Sequence, residues 1–517
     1  MNLFNDLNDH TAFHARIRGD MMMASDQVKT LNYRQGWAAI NSIAAHIQAE
    51  GIRKGDRVAI MAKNSVDNLC IFLACARIGA VAVGLNYRLT ASEVEFISSD
   101  AGVQMLFFDQ EFDGLRGEYL RSKTCVCIDS DTSAPILASW LETPASLTEV
   151  EIGGDDILFQ MYTSGTTGLP KGVLITHRNV LLNTYQTPIT TGIGARVGER
   201  VLVIAPSFHA VGLVGSLLGI VYGASMIIHR DYDPVGMVET LSKEHIATVA
   251  VIPVMLQFSL AMVPNIKDYD FSELHTINYG ASPISESLLK ECMDAFGCDF
   301  VQGYGQTEAT MGLTFLTAED HHKALAGRPE LLRSCGRAVF GTEVKIVGND
   351  GAELAIGEIG EIVAKGPQIM LGYWNNAEAT AKTVVNGWLH TGDAGRIDEE
   401  GYVYIQDRVK DMIISGGENI YPAEIENLLM SHPQIQDVAV VGVPDQKWGE
   451  VPLAVMVSGG QAELSAEELT EFCRGKLAGF KIPRKVEYLA ALPRNPTGKV
   501  LKKDIRVLMA EKYPPIS

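Results

Sequence analysis

The sequence predicts an α/β protein: a large N-terminal domain of two stacked α/β layers, a small β-barrel-like subdomain, and a small, mobile α+β C-terminal domain. Three observations predict it. Residues 30–160 alternate amphipathic segments with short apolar runs, the rhythm of a mostly parallel sheet covered on both faces, and the same rhythm recurs after residue 200. From about 335 to 405 the texture changes to short strands separated by glycine-rich turns. At 517 residues the chain is too long for one ordinary core.

Taken in order, residues 33–50 (YRQGWAAINSIAAHIQAE) carry apolar side chains at helical spacing, and RVAIMA (57–62) follows as a buried strand. Residues 69–78 read as a second helix and AVAVGLN (80–86) as another strand. VLVIA (201–205), ASMIIH (224–229) and ATVAVIP (247–253) are strands with helices between them. The β-rich stretch 335–405 is punctuated by Asn349-Asp350-Gly351 and repeated glycines. After it come a helix starting at Pro422, the fitting N1 position, strands DVAVVGV and LAVMV, a helix over 465–478, and a closing helix after Lys499. The domains are therefore placed at 1–407 and 411–517, with 408–410 as the hinge.

Hydrophobic residues make up 47% of the chain, as in a folded globular protein. A net charge of −19 argues against a nucleic-acid binder, which needs a basic face to release counterions. Eight cysteines are scattered without metal-ligand spacing, which fits a reduced, cytoplasmic setting. The first twenty residues mix charges early and do not read as a signal peptide. Residues 201–228 lack Asp, Glu, Lys and Arg, yet Pro206 and four glycines break any single spanning helix. That stretch reads as strand, loop, helix and strand buried in protein.

The chemistry starts at YTSGTTGLPKG (162–172), where Thr163, Ser164, Thr166, Thr167 and Lys171 sit among Gly165, Gly168 and Gly172. Glycines let backbone N–H groups approach an anion, hydroxyls add donors, and the lysine adds a mobile positive charge. The loop suits a polyphosphate. Its spacing is not that of the P-loop, which needs four residues between its first glycine and a Gly-Lys-Ser/Thr ending.

The whole eleven-residue order resembles the signature of the acyl-adenylate-forming enzymes, and the resemblance, to acyl-CoA synthetases in particular, runs from about 30 to 510. It implies the following roles. The segment VQGYGQTEAT (301–310) places Gln302, Gly303, Tyr304 and Gly305 along the nucleotide, with Tyr304 on adenine, Thr307 on the α-phosphate and Glu308 on Mg²⁺, which Thr163 also approaches. Gly280, Ala281 and Ser282 would form the other adenine wall. HTGD (390–393) gives Asp393 as the ribose acceptor, although a lone Thr-Gly-Asp equally reads as a turn cap. Arg408 would bind ribose and phosphate, and Lys410 stands at the hinge. In RNPTGKV, Lys499 would stabilise charge as the carboxylate attacks the α-phosphate. Gly417, in SGGENIYPAEIE (415–426), belongs to the segment that swings in for the thioester step. His209, in PSFHAVG (206–212), takes the acyl-pocket gate, with Thr310, Met311 and Gly312 lining that pocket. A lone histidine in an apolar run also reads as a packed core residue. The Asp that holds an amino-acid ammonium in relatives is missing here, which argues against amino-acid substrates.

The resemblance implies an acid–CoA ligase using ATP, Mg²⁺ and CoA. Carboxylate and ATP give acyl-AMP and pyrophosphate, then the CoA thiol displaces AMP. Its acid is expected to be a medium- or long-chain fatty, alicyclic or aryl carboxylic acid. The rival readings are an enzyme that loads a separate carrier protein and an inactive nucleotide-binding scaffold. A homodimer is compatible with either. Ten Lys/Arg lie between Phe472 and Arg506 against two acidic residues; this island reads either as a solvated helix face or as a dock for an anionic second substrate.

Overall fold

The computed structural model describes all residues except 1–5, 130–135, 164–168, 193, 195, 281–283, 417, 461–462, 495–499 and 515–517, and only the backbone of 410 and 419. The contacts divide the chain into two compact units. One holds residues 1–344, 364–390 and 401–403; the other holds 345–363, 391–400 and 404–517.

Among the described residues, the first unit contains a seven-stranded and a nine-stranded sheet, both mostly parallel. In the seven-stranded sheet Ile157–Thr163, Val81–Gly84, Arg57–Met61, Val103–Phe108 and Thr124–Cys127 run parallel, Lys171–Thr176 pairs antiparallel with Ile157–Thr163, and Gly372–Tyr373 pairs antiparallel with Lys171–Thr176 at the edge. Both faces are covered. Val58 and Ile60 join one cluster with Phe72 and Phe159, while Ala59 and Met61 join another with Phe108 and Leu120. That two-sided burial is why RVAIMA reads as an unbroken apolar run rather than an alternating one.

The nine-stranded sheet has Met22–Ser25, Ser225–Ile228, Arg200–Val203, Ile246–Val251, Thr276–Gly280 and Asp299–Tyr304 in parallel, with antiparallel strands at both edges. The uncharged stretch 201–228 is strand, loop, a thirteen-residue helix Ala210–Tyr222, and strand. No helix among the described residues is long and apolar enough to cross a membrane. An N-terminal helix, Leu7–Ile17, docks through polar groups: the Leu7 N–H donates to Nδ1 of buried His177 at 3.2 Å, and His14 Nε2 donates to Val221 O at 3.1 Å.

In the second unit, the turn at Asn349-Asp350-Gly351 is closed by Gly351 N–H donating to Gly348 O and Gly348 N–H to Ala352 O, with Gly351 at φ 78°. The long hairpin Ile435–Asp445 and Gly449–Ser458 is buried on both faces. Val438, Val440, Ala454 and Met456 meet Ile425, Leu429, Leu469 and Cys473 of two helices, Pro422–Leu429 and Ala466–Cys473. Ala439, Val441, Leu453 and Val455 meet Ile505 and Met509 of the closing helix Lys502–Met509. The helix expected over 465–478 stops at Cys473, because Arg474 turns to extended backbone and Gly475 takes φ 73°.

Candidate functional site

In the first unit the phosphate-loop sequence is the mouth of a hairpin. Thr163 pairs with Lys171 and Tyr162 with Gly172, so the two ends of the motif are paired neighbours on antiparallel strands. A tight polar stack stands behind it. Tyr162 Oη donates to Asp100 Oδ2 at 2.5 Å and accepts from Gln160 Nε2, whose Oε1 in turn accepts from Arg57. The Arg57 guanidinium lies 3.6 Å over the Trp374 ring, and Trp374 Nε1 donates to Asp100 O. Burial first, then the Asp100 carboxylate, pushes the Tyr162 phenol above its ordinary value, so it stays a donor. Gly172 sits close to this stack: a Cβ there would lie 2.7 Å from Gln160 Nε2 and push that amide away.

The QTE turn leaves the strand Asp299–Tyr304 beside the hairpin. Gly280 pairs with Gly303 in the parallel ladder, and a Cβ on Gly280 would stand 2.5 Å from Gly303 O. The two stretches assigned to opposite adenine walls are thus neighbouring strand ends, and only small residues fit between them. Gln302 lies in the same ladder, opposite Tyr279, and Tyr304 is half-buried against Ala309 and Leu313. A Cβ on Gly305 would reach within 1.9 Å of Met311 O, which fixes glycine there. Thr307–Ala309 form one 3-10 turn, and Thr310 ends it at φ 64°. That unusual backbone is held on several sides. Thr310 Oγ1 donates to Gln368 O at 2.7 Å, Met370 N–H to Glu308 O at 2.8 Å, and Asn183 and Gln368 donate to Gly312 O.

The result is convergence on one carboxylate. Glu308 Oε1 accepts from Tyr373 Oη at 2.8 Å and stands 3.5 Å from Thr163 Oγ1, and Lys171 Nζ lies 5.0 Å over the Tyr373 ring. Burial and the Glu308 charge both raise the Tyr373 phenol, keeping it protonated to donate. The structure therefore brings Thr163, Lys171, Thr307 and Glu308 into one region, with Gly280 and Tyr304 on adjoining strand ends. Tyr373 was not singled out by the sequence; the Gly-Tyr-Trp at 372–374 is its only local signal.

His209 caps the helix Ala210–Tyr222 by position, without a side-chain cap bond, and its ring lies 4.5 Å from Phe208. Tyr87 meets Phe208 edge-on and stacks on Phe112 at 4.5 Å. Asn64 holds the segment before His209 by accepting from Ser207 N–H and donating to Ala205 O. His209 is thus at the end of an aromatic group.

In the second unit Asp393, 5% exposed, pairs with Arg408 at 2.8 Å, and Arg408 also donates to Thr391 O. Thr391 Oγ1 donates to Ile362 O and Gly392 N–H to Glu361, so the turn is rigidly presented. Ser164, Gly165, Thr166, Thr167, Gly168, Ala281, Ser282, Gly417 and Lys499 lie outside the described residues, as does the side chain of Lys410.

Residues 6–374 match the model of the AMP-binding enzyme family, and 424–499 match the AMP-binding enzyme C-terminal domain. The chain belongs to the AMP-binding enzyme family. Within it, a long-chain-fatty-acid–CoA ligase (FadD13) of Mycobacterium tuberculosis is 40% identical over 481 residues, 92% of each chain. A fatty acid–[acyl-carrier-protein] ligase (ScoC) of Streptomyces coeruleorubidus is 37% identical over 500 residues, 96% of this chain and 95% of that one. Among solved structures, the o-succinylbenzoate coenzyme A synthetase (MenE) of Bacillus subtilis, in complex with ATP and magnesium ion, is 31% identical with a TM-score of 0.85, covering 96% of this chain and 99% of that one. In this AMP-binding enzyme, Thr163, Lys171 and Glu308 lie together in the first unit, and Asp393 pairs with Arg408 in the second.

Proposed function

We propose that this protein is an ATP-dependent acid–CoA ligase for a fatty, alicyclic or aryl carboxylic acid. The observation that carries the reading is the meeting of Thr163, from the phosphate hairpin, with Glu308, from a turn 145 residues later, at 3.5 Å. Hydroxyls, a carboxylate and Lys171 around one point suit a polyphosphate with its cation.

The oxygen donors here fit a hard divalent ion, because Glu308 is held as a hydrogen-bond acceptor by two hydroxyls. Glu308 and Thr163 would hold Mg²⁺, which when bound neutralises charge on the phosphates. Lys171 and the hairpin mouth bind the triphosphate, the Gly280 and Tyr304 walls take adenine, and Asp393 with Arg408 orients ribose. In the first step a carboxylate oxygen of the acid attacks the α-phosphorus and pyrophosphate leaves, with Lys499 countering the developing negative charge. In the second, the CoA sulfur attacks the acyl carbon, its proton is lost, and AMP leaves. No side chain acts as nucleophile. The same reading expects a cytoplasmic enzyme.

A second acceptor is kept open by the relative described as a fatty acid–[acyl-carrier-protein] ligase. A pyrophosphate-release screen across fatty, aryl, dicarboxylic and alicyclic acids tests the first step. Thioester formation with CoA against a purified acyl carrier protein tests the second. Pyrophosphate release with no acid in the panel would refute the ligase reading, and exclusive transfer to the carrier protein would replace CoA as acceptor.

A further inference from the structure

Residues 408–410, the expected pivot, are bracketed by two aspartates that are both tied into the second unit. Asp407 Oδ2 accepts the Ala423 N–H at 2.7 Å, at the start of the helix Pro422–Leu429. That helix has Tyr421 at its N-cap and no side-chain cap of its own, so Asp407 supplies the missing acceptor and faces the positive end of the helix dipole. Asp407 also lies 3.8 Å from Lys502 Nζ, whose closer partner is Glu426 at 2.9 Å. All three of these charged side chains are largely buried, at 7%, 13% and 19% exposure. On the far side of the pivot, Asp411 pairs with Arg506 at 2.8 Å, one turn along the same helix from Lys502.

These bonds differ in what a rotation at 408–410 would do to them. Asp411, Arg506, Lys502, Glu426 and Ala423 all follow the pivot in sequence and would move together. Asp407 precedes it and would leave. A buried lysine stripped of its counter-ion is costly, but Lys502 keeps Glu426 in either arrangement. Glu426 is further fixed by the Val440 N–H at 2.6 Å. The site is built so that one carboxylate can depart without orphaning the cation.

We propose that Asp407 is a conformational latch: its hydrogen bond to the Ala423 N–H and its longer ion pair with Lys502 favour one orientation of the C-terminal domain, and Glu426 retains Lys502 when the latch opens. Asp407 is a positioning residue, acting through the helix that begins three residues after Lys499. The inference rests on the two-step reading above, since only an enzyme that alternates between two arrangements needs such a bond to break. A latch biases an equilibrium and so changes the two half-reactions unequally.

The test uses the full-length enzyme with the acid found by the screen. In Asp407→Ala, the ratio of the single-turnover rate of acyl-AMP formation to that of thioester formation from supplied acyl-AMP is expected to shift more than threefold. Asp407→Asn, which keeps an acceptor but not the charge, should shift it less and in the same sense. A ratio within threefold of the unmodified enzyme in Asp407→Ala, including an equal fall of both rates, overturns the latch. Hydrogen exchange of the peptide carrying the Ala423 amide gives a readout independent of turnover. Its protection should differ between enzyme with Mg·ATP and enzyme with AMP plus CoA, and should be low with both in Asp407→Ala. Equal protection in the two ligand states of the unmodified enzyme also overturns the latch. Lys499→Ala separates the two ideas: normal acyl-AMP formation there refutes the role of Lys499, while its exchange difference still reports on Asp407.

Discussion

The phenol of Tyr373 donates to Oε1 of Glu308 at 2.8 Å, joining residues 65 apart in sequence and fixing the carboxylate that faces Thr163. Tyr373 lies on an edge strand paired to Lys171–Thr176, so one short strand both braces the phosphate hairpin and orients the carboxylate. A hydrogen bond to a charged group contributes about 1.5–3 kcal/mol. Tyr373→Phe is therefore expected to lower kcat/KM for Mg·ATP in acyl-AMP formation by about tenfold, while thioester formation from supplied acyl-AMP changes little. Unchanged magnesium and ATP dependence in that variant would remove Tyr373 from the site.

Lys499→Ala should lower acyl-AMP formation by on the order of a hundredfold or more, the scale lost with one well-placed charge-stabilising group. Thioester formation from supplied acyl-AMP should persist. Rapid-quench assays of the two steps check this, and equal loss of both would contradict a role confined to the first.

Proline at 410 locks φ near −65° and deletes an N–H. Lys410→Pro is expected to keep the first-turnover burst of pyrophosphate but to lose steady-state thioester production. Normal steady-state synthesis would put the pivot at another position.

The basic island looks different once its partners are known. Lys481 pairs with Glu424, Arg494 with Asp437, Lys502 with Glu426 and Arg506 with Asp411, so much of its charge is neutralised within the second unit. Arg484 is exposed, and Lys485 lies over the Tyr513 ring. If the island docks CoA, these two contribute to it alongside the exposed Lys476 and Lys503. The double variant Arg484→Ala, Lys485→Ala should raise KM for CoA several-fold and flatten its salt dependence, with KM for ATP unchanged. A change in the ATP term alone would eliminate the dock.

Buried His177 accepts the Leu7 N–H through Nδ1, and burial holds its pKa below the ordinary 6.5 despite the nearby Asp6 and Asp156 carboxylates. A base whose folded pKa is depressed stabilises the fold while neutral. That stability is complete above pH 6.5 and is lost as pH falls below it, because the unfolded chain binds the proton first. His10 and His14 on the docked helix are lowered by burial too, and act in the same direction. Thermal stability should fall as pH drops from 7.5 to 5, and His177→Asn should reduce the slope. A pH-independent Tm over that range would contradict this.

The sequence by itself determined the layered α/β architecture, the strands from RVAIMA to ATVAVIP, and the position of both nucleotide hallmarks. Those properties are local: burial on two faces writes continuous apolar runs, and a phosphate cradle needs its glycines and hydroxyls adjacent in the chain. Even Gly280 and Gly303 could be marked from their motifs, although their 2.5 Å reason appears only when the two strands lie side by side. Tertiary structure alone decided which distant groups meet. Tyr373 reaches Glu308, Gln368 holds Thr310, and Asp407 caps the helix at Ala423 because sheet and helix packing bring separate segments together. The island shows the limit most plainly: counting charges along Phe472–Arg506 gives an excess of cations, whereas Glu424, Asp437, Glu426 and Asp411, which lie outside that stretch, fold back to neutralise them. Charge composition is a sum along the chain, but ion pairing depends on distances of a few ångströms in space, and those are set only when the fold closes.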